Sequence, residues 1–388
     1  MRLPDEHPPT APELACDAAP KSPEPRKRIP ARSPSAGPGP GGTVWASGAF
    51  DATAARQPPP RIPPGHCQPG RDVRPGVPGA IFRHSTAVSR QIQLASASSA
   101  PRRGSQYAEL SRQVKEAGLL QRRPGCYAWK IAVTTGLLAA GWAVFVVAGN
   151  SWWQLAVAAF LAVIFTQIAF LGHDAGHRQV FGSRRASYVA GVLLGNLGIG
   201  LSYGWWVDKH NRHHAHPNTE DADPDIAVGA FAFTAAQVRA SRGLARLVVR
   251  YQAYLFFPLL LLEAVNLHVA SVRALTSRAA RRRSWERALI TAHAVGYLTA
   301  VFLVLSPVRA VVFMIVQQGL FGLYLGCSFA PNHKGMPILN ADDQSDFLRR
   351  QVLTSRNVRG GWLTDFALGG LNYQIEHHLF PSMPTEAA

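Results

Sequence analysis

The sequence predicts an all-α integral membrane protein, with four transmembrane helices, additional in-plane or amphipathic helices, and a histidine-bearing cap on the cytoplasmic side. Three observations lead there. Residues 131–149, 152–171, 288–305 and 308–330 are apolar runs with at most one charge, each close to the roughly 20 residues that cross a bilayer core. They pair into hairpins over Asn150-Ser151 and Ser306-Pro307, turns too short for anything else. Three groups of histidines, His173/His177, His210/His213/His214 and His377/His378, follow apolar stretches; serving one site would require all three on one face of the membrane.

Residues 1–104 hold 20 of the 29 prolines, are rich in Gly, Ala, Ser and Arg, and lack apolar periodicity. Such a Pro/Arg-rich extension cannot bury enough surface to offset its chain entropy and is expected to be disordered. It has no charged segment leading directly into an apolar one, as a secretory signal would. Either translation starts further downstream or the tail is genuine. His7, His66 and His84 fall in it and are not expected to bind metal. The cysteines Cys16, Cys67, Cys126 and Cys327 form no CxxC pair, which suits a reducing compartment. The net charge of +17 comes from 34 Arg and 6 Lys without a nucleic-acid-binding motif, so no nucleic-acid partner is expected. Residues 105–388 form the folded domain.

In that domain Tyr107, Leu110, Val114 and Ala117 recur at helical spacing, the mark of an amphipathic helix at the membrane surface. Arg122, Arg123 and Lys130 precede the first apolar run and place its start in the cytoplasm, so the first hairpin returns His173 to that side. Residues 188–203 contain Gly191, Gly195, Asn196, Gly198 and Gly200; a crossing here would strand the second histidine group outside, so the segment is read as re-entrant. Residues 251–270, with Pro258, Glu263, Asn266 and His268, are read as in-plane on the same parity argument. This keeps the basic loop with Arg278, Arg281, Arg282 and Arg283 inside. Arg239, Arg242, Arg246 and Arg250 recur at spacings of three and four, one basic helical face for lipid phosphates or for the head group of a substrate.

HxxxH and HxxHH place imidazoles on one helix face a turn apart, and imidazole is the commonest ligand of borderline metals. Three such groups imply a metal centre, and nitrogen-rich ligation with open positions suits iron. Asp174 and Glu376 adjoin these histidines and are read as carboxylates that orient ligand rings. Asp208, Asp221, Asp223 and Asp225 either assist or form a solvated acidic loop. His216, His268 and His293 are left outside the centre.

The order His173-Asp174-Ala175-Gly176-His177, then Trp205-Trp206 before His210-Asn211-Arg212-His213-His214 and Pro217-Asn218 after it, then Gln374-Ile375-Glu376-His377-His378-Leu379-Phe380-Pro381, resembles the membrane fatty acid desaturases. The Gln-containing third box looks like that of actinobacterial acyl desaturases. The resemblance runs from about Tyr107 to Pro384. It implies two iron ions, O2 as co-substrate, and a cis double bond introduced into a fatty acyl chain carried as acyl-CoA or phospholipid. It also implies His333 as an eighth ligand and Asn332 as a holder of bridging water. Gln374 stands where many members have a histidine; its amide is a poorer iron ligand and is expected to hydrogen-bond a ligand or water instead. No fused haem domain is evident, so electrons would come from a separate ferredoxin or flavoprotein reductase. Relatives continue past the third box with a further helical cap, so the C-terminus reads as short. A hydroxylase or ketolase on the same scaffold is the near alternative, and a zinc membrane hydrolase the distant one. The location implied is a multi-pass inner or plasma membrane protein with its site facing the cytoplasm.

Overall fold

The computed structural model describes residues 105–387 apart from 228 and 277–283. The expected disorder of 1–104 and the arginines at 278 and 281–283 lie outside the described residues. Among the described residues there is no strand, only one isolated bridge between Thr219 and Leu339.

Helix α1 (Gln106–Glu116) starts where Ser105 Oγ accepts from Ala108 N at 3.2 Å, a side-chain cap for an otherwise orphaned donor. It forms where its periodicity predicts. Its apolar face, however, is covered by protein rather than lipid: Tyr107, Leu110 and Val114 pack on Leu379, Phe380 and Met383, and Tyr107 Oη donates to Leu379 O at 3.0 Å.

Helices α2 (Pro124–Ala148) and α3 (Gln154–Gly176) make the first hairpin. The turn is closed by Gln154, whose Nε2 donates to Phe145 O at 2.7 Å and Gly149 O at 2.8 Å, satisfying carbonyls that the end of α2 leaves open. The second hairpin is α10 (Ser284–Val304) with α11 (Pro307–His333). These four are long and apolar enough to cross a membrane. Their burial assigns their places: 61 % of the apolar window of α3 is buried against 6 % for α10, so α3 is the central helix and α10 faces lipid. The core runs along α3 and α11, with Leu161 and Phe313 in its outer cluster and Phe165, Ile168, Phe321 and Leu325 in its inner one. Inside lipid such contacts stabilise by close fit rather than by removal from water. The two hairpin turns meet, since Asn150 Oδ1 accepts from Ser306 N at 3.0 Å and Asn150 O from Arg309 Nη1 at 2.8 Å. Both turns therefore lie at the same end of the bundle, opposite the histidines.

The ambiguous stretches bend. Helix α4 (Arg184–Val192) runs into a π-helical turn at Leu193–Gly198 and returns as α5 (Tyr203–Ala215), the two arms at 114°. Carbonyls freed at the bend are not left bare: His293 Nδ1 reaches Leu197 O at 2.8 Å and His268 Nδ1 reaches Gly200 O at 3.0 Å. Irregular backbone at membrane depth is tolerable only where protein satisfies it in this way. Buried Glu286, at the start of α10, accepts from Tyr188 Oη at 2.7 Å, Ser202 Oγ at 3.2 Å and Gly204 N at 3.3 Å, tying α10 to the first turn of α5. Helices α6 (Ala235–Ala240) and α7 (Gly243–Arg250) precede α8 (Gln252–Leu260) and α9 (Glu263–Thr276), the last two bent by 70°. The bend lies against Gly322 of α11, where an added Cβ would sit 2.7 Å from Ala264 N and from Leu260 O. Three short α-helices follow, α12 (Phe347–Thr354), α13 (Trp362–Leu368) and α14 (Gln374–Leu379), and a 3-10 turn at Thr385–Ala387 ends the described residues.

Candidate metal centre

The last turn of α3 carries His173, and His177 caps the helix. Helix α5 presents His210, His213 and His214 on one face, as i, i+3 and i+4 spacing requires. His333 is the final residue of α11, and α14 carries His377 and His378. The structure brings all eight imidazoles together. Nitrogens of His173, His177, His210 and His377 lie within 4.8 Å of one another, as do those of His213, His333 and His378. His214 stands between the groups, its ring stacked on His378 with centroids 4.2 Å apart and its Nε2 3.1 Å from His210 Nε2.

Four of the rings are oriented alike. His173 Nδ1 faces Asp174 Oδ1 at 3.2 Å, His213 Nδ1 faces Asp223 at 3.0 Å, His333 Nδ1 faces Thr354 O at 2.9 Å, and His378 Nδ1 faces Gln351 Oε1 at 2.8 Å. With Nδ1–H donated outward, each Nε2 keeps a lone pair toward the interior, the tautomer a metal ligand needs. The Nε2 atoms of His173, His377 and His378 are buried without any partner, which is costly for a polar atom unless something binds it. Nε2–Nε2 separations of 2.9 Å for His177–His210 and 3.3 Å for His213–His333 match neighbouring ligands on one ion with bonds of about 2.1 Å. Burial, followed by neighbouring imidazoles, holds His177, His210, His214, His377 and His378 well below the usual histidine pKa. They are neutral at physiological pH, as ligation requires. The donor set thus fits two transition-metal ions.

The other residues singled out in the sequence divide. Asp174 sits against His173 and accepts from buried Tyr127 Oη at 3.1 Å. Glu376 does not reach an imidazole: it accepts from Asn357 Nδ2 at 2.7 Å. Gln374 lies in the second cluster, Nε2 2.9 Å from His333 Nε2 and Oε1 accepting from Asn332 Nδ2 at 3.0 Å. Of the four aspartates near the second group, Asp223 is the buried one on His213, and it also accepts from Asn218 N at 2.7 Å. Burial opposes the charge of Asp225, but Lys209 outweighs it and holds this carboxyl below its usual range. His216, His268 and His293 stay outside both clusters. Gln351 and Thr354 were not foreseen, and Gln351 binds the centre twice, its Nε2 also donating to His214 O at 2.9 Å. No sequence pattern announces them; they depend on where α12 packs.

Arg239, Arg242, Arg246 and Arg250 do not share one continuous helix. Extended backbone at Ser241 and Arg242 separates α6 from α7, and none of the four lines the cavity of about 580 Å³ that opens beside His177 and His214. That cavity is lined instead by Arg178, Arg184, Tyr188, Tyr203, Asp208 and Asn211, among others.

A family model described as fatty acid desaturase matches residues 150–387. Among curated proteins, an acyl-lipid (9-3)-desaturase of Physcomitrium patens is 32% identical over 269 residues, covering 66% of this chain and 50% of the relative. A Delta(8)-fatty-acid desaturase of Helianthus annuus is 29% identical, covering 72% of this chain and 64% of the relative. A Delta(6)-fatty-acid desaturase of Caenorhabditis elegans is 34% identical, covering 60% and 56%. The chain thus spans between half and two thirds of the length of these relatives.

Proposed function

This chain belongs to the fatty acid desaturase family, and from that premise we propose that it is an O2-dependent di-iron enzyme that introduces a cis double bond into a membrane-borne fatty acyl chain. The observation that carries the reading is the convergence of eight imidazoles at the ends of apolar helices, four of them, His173, His213, His333 and His378, held by outward Nδ1 bonds. His173, His177, His210 and His377 would hold one iron and His213, His333 and His378 the other, with His214 at the boundary. Iron with dioxygen supplies the oxidising power, absent from amino-acid side chains, that removes hydrogen from an unactivated methylene.

The protein's own residues position and insulate. Asp174, Asp223, Gln351 and the Thr354 carbonyl fix ring tautomers, while Gln374, itself held by Asn332, meets His333 from inside the cluster. Arg178 and Arg184 flank the cavity beside His177 and His214 and suit the anionic head group of the acyl carrier. An acyl lipid is favoured over acyl-CoA as that carrier, in keeping with the names of relatives. The four arginines at 239–250 then serve to anchor α6 and α7 at lipid phosphates. The histidine end faces the cytoplasm: it carries Arg122, Arg123, Lys130, Arg184 and Arg185, whereas the outer turns, 149–153 and 305–309, contain only Arg309. Electrons come from a separate ferredoxin or flavoprotein reductase.

The test is expression in a bacterial host, metal analysis of the purified protein, and gas chromatography of its membrane fatty acids. Two irons per chain and a new unsaturated acyl species are expected. Iron-loaded protein yielding hydroxy-acyl products would replace desaturation by hydroxylation, and zinc in place of iron would end the reading.

A further inference from the structure

Helix α13 (Trp362–Leu368) is built inside out for a segment in water. Trp362, Leu363 and Phe366 share one face and are 80%, 61% and 53% exposed, whereas polar Asp365 turns inward and accepts from Asn372 Nδ2 at 2.8 Å. A helix end bathed in water places these groups the other way round.

Its depth explains the inversion. Gln167 Nε2 donates to Phe366 O at 3.3 Å and to Tyr324 Oη at 3.1 Å. Gln167 lies in α3 about 9 Å before His173, and Tyr324 in α11 about 13 Å before His333, at 1.5 Å per residue. The apolar run 152–171 continues past Gln167, so the carbonyl of Phe366 is held about 6 Å inside the hydrocarbon edge. At the other end Gly369 is pressed on Phe170, where an added Cβ would lie 2.4 Å from the ring. Arg359, exposed and just before the helix, is placed to reach the phosphate layer as interfacial anchors do.

We propose that α13 is a monotopic insert whose Trp362, Leu363 and Phe366 lie in the acyl region of the leaflet on the histidine side. The partner of this face is the lipid bilayer, continuous with the lipid around α3 and α11. The inference rests on the reading of those helices as membrane spans. Because Gly369 and Gly370, at φ +59° and +77°, lead directly into α14, the insert fixes the third histidine group to the membrane plane.

The experiment is site-directed spin labelling of the full chain in phospholipid nanodiscs, with Cys16, Cys67, Cys126 and Cys327 replaced by serine. Nitroxides are placed at Leu363 and Phe366, whose exposure lets a label attach without repacking, at Ile315 in mid-α11, 66% exposed, and at exposed Asp342. Dissolved oxygen is expected to relax the labels at 363 and 366 more than a water-soluble nickel chelate does, as at 315 and opposite to 342. Nickel-dominated relaxation at 363 and 366 with oxygen dominance at 315 would overturn the insert and leave its face to water or a protein partner. Nickel dominance at 315 as well would overturn the membrane reading of α11, and the insert with it.

Discussion

His378 is aimed by an amide twenty-seven residues away: Gln351 Oε1 accepts a hydrogen bond from its Nδ1–H at 2.8 Å. Outer partners of this kind typically change metal affinity by about 10- to 100-fold. Gln351→Ala is expected to weaken iron retention by that factor while Gln344→Ala, on an exposed loop residue, leaves it unchanged, read as iron remaining after dialysis against a graded chelator. Acidity acts on the same centre. His177, His210, His214, His377 and His378 are neutral in the fold because burial, and then their neighbours, depress their pKa. Unfolding lets them bind protons, so iron-free protein should be fully stable above the ordinary histidine value of about 6.5 and lose stability as pH falls below it; thermal melts of the iron-free form from pH 5 to 8 check this. The histidines were legible because few other arrangements explain so many imidazoles at helical spacing. Adjacency alone did not decide the carboxylates, since Asp174 turns to His173 while Glu376 is taken by Asn357, and Gln351 was invisible because its partner is set by packing.

At the scale of elements, bent segments were easier to foresee than straight ones were to delimit. Glycines and Asn196 in 188–203, and Pro258 with Glu263 in 251–270, argued against simple spans, and both stretches bend, by 114° and 70°. Helix α2 begins seven residues before the apolar run that marks it, since Pro124 opens the helix ahead of that run. What holds the first bend closed was not readable: it takes His268, His293 and Glu286 from distant helices to satisfy the turn. Close approach offers a direct test. Gly322→Ala would force a methyl to 2.7 Å from backbone atoms of α8 and α9, an overpacking worth about 1–3 kcal/mol. Gly296→Ala, with nothing within 4 Å, should be neutral or gain up to about 1 kcal/mol from helix propensity. Apparent melting temperatures in detergent should fall for the first and not for the second.

For the whole molecule, parity carried the topology. Requiring three histidine groups to meet forbids an odd number of crossings between them, and four spanning helices with two bent pairs satisfy that count. The meeting of the hairpin turns through Asn150, Ser306 and Arg309 makes the arrangement testable: a cysteine at Asn150 should react with an impermeant maleimide from outside intact cells, and one at Asp342 only after lysis. The clasp between α1 and the end of α14 could not be read, because an amphipathic helix carries no mark of whether lipid or protein will cover it.

The convergent Nε2 lone pairs have a cellular corollary. The Nε2 atoms of His173, His377 and His378 are buried with no protein partner, so on the di-iron reading a chain made during iron starvation would be the less stable one, and binding would stabilise it. Abundance should then track nutrient iron at constant messenger level, with proteases of the growing cell removing whatever copies were never filled.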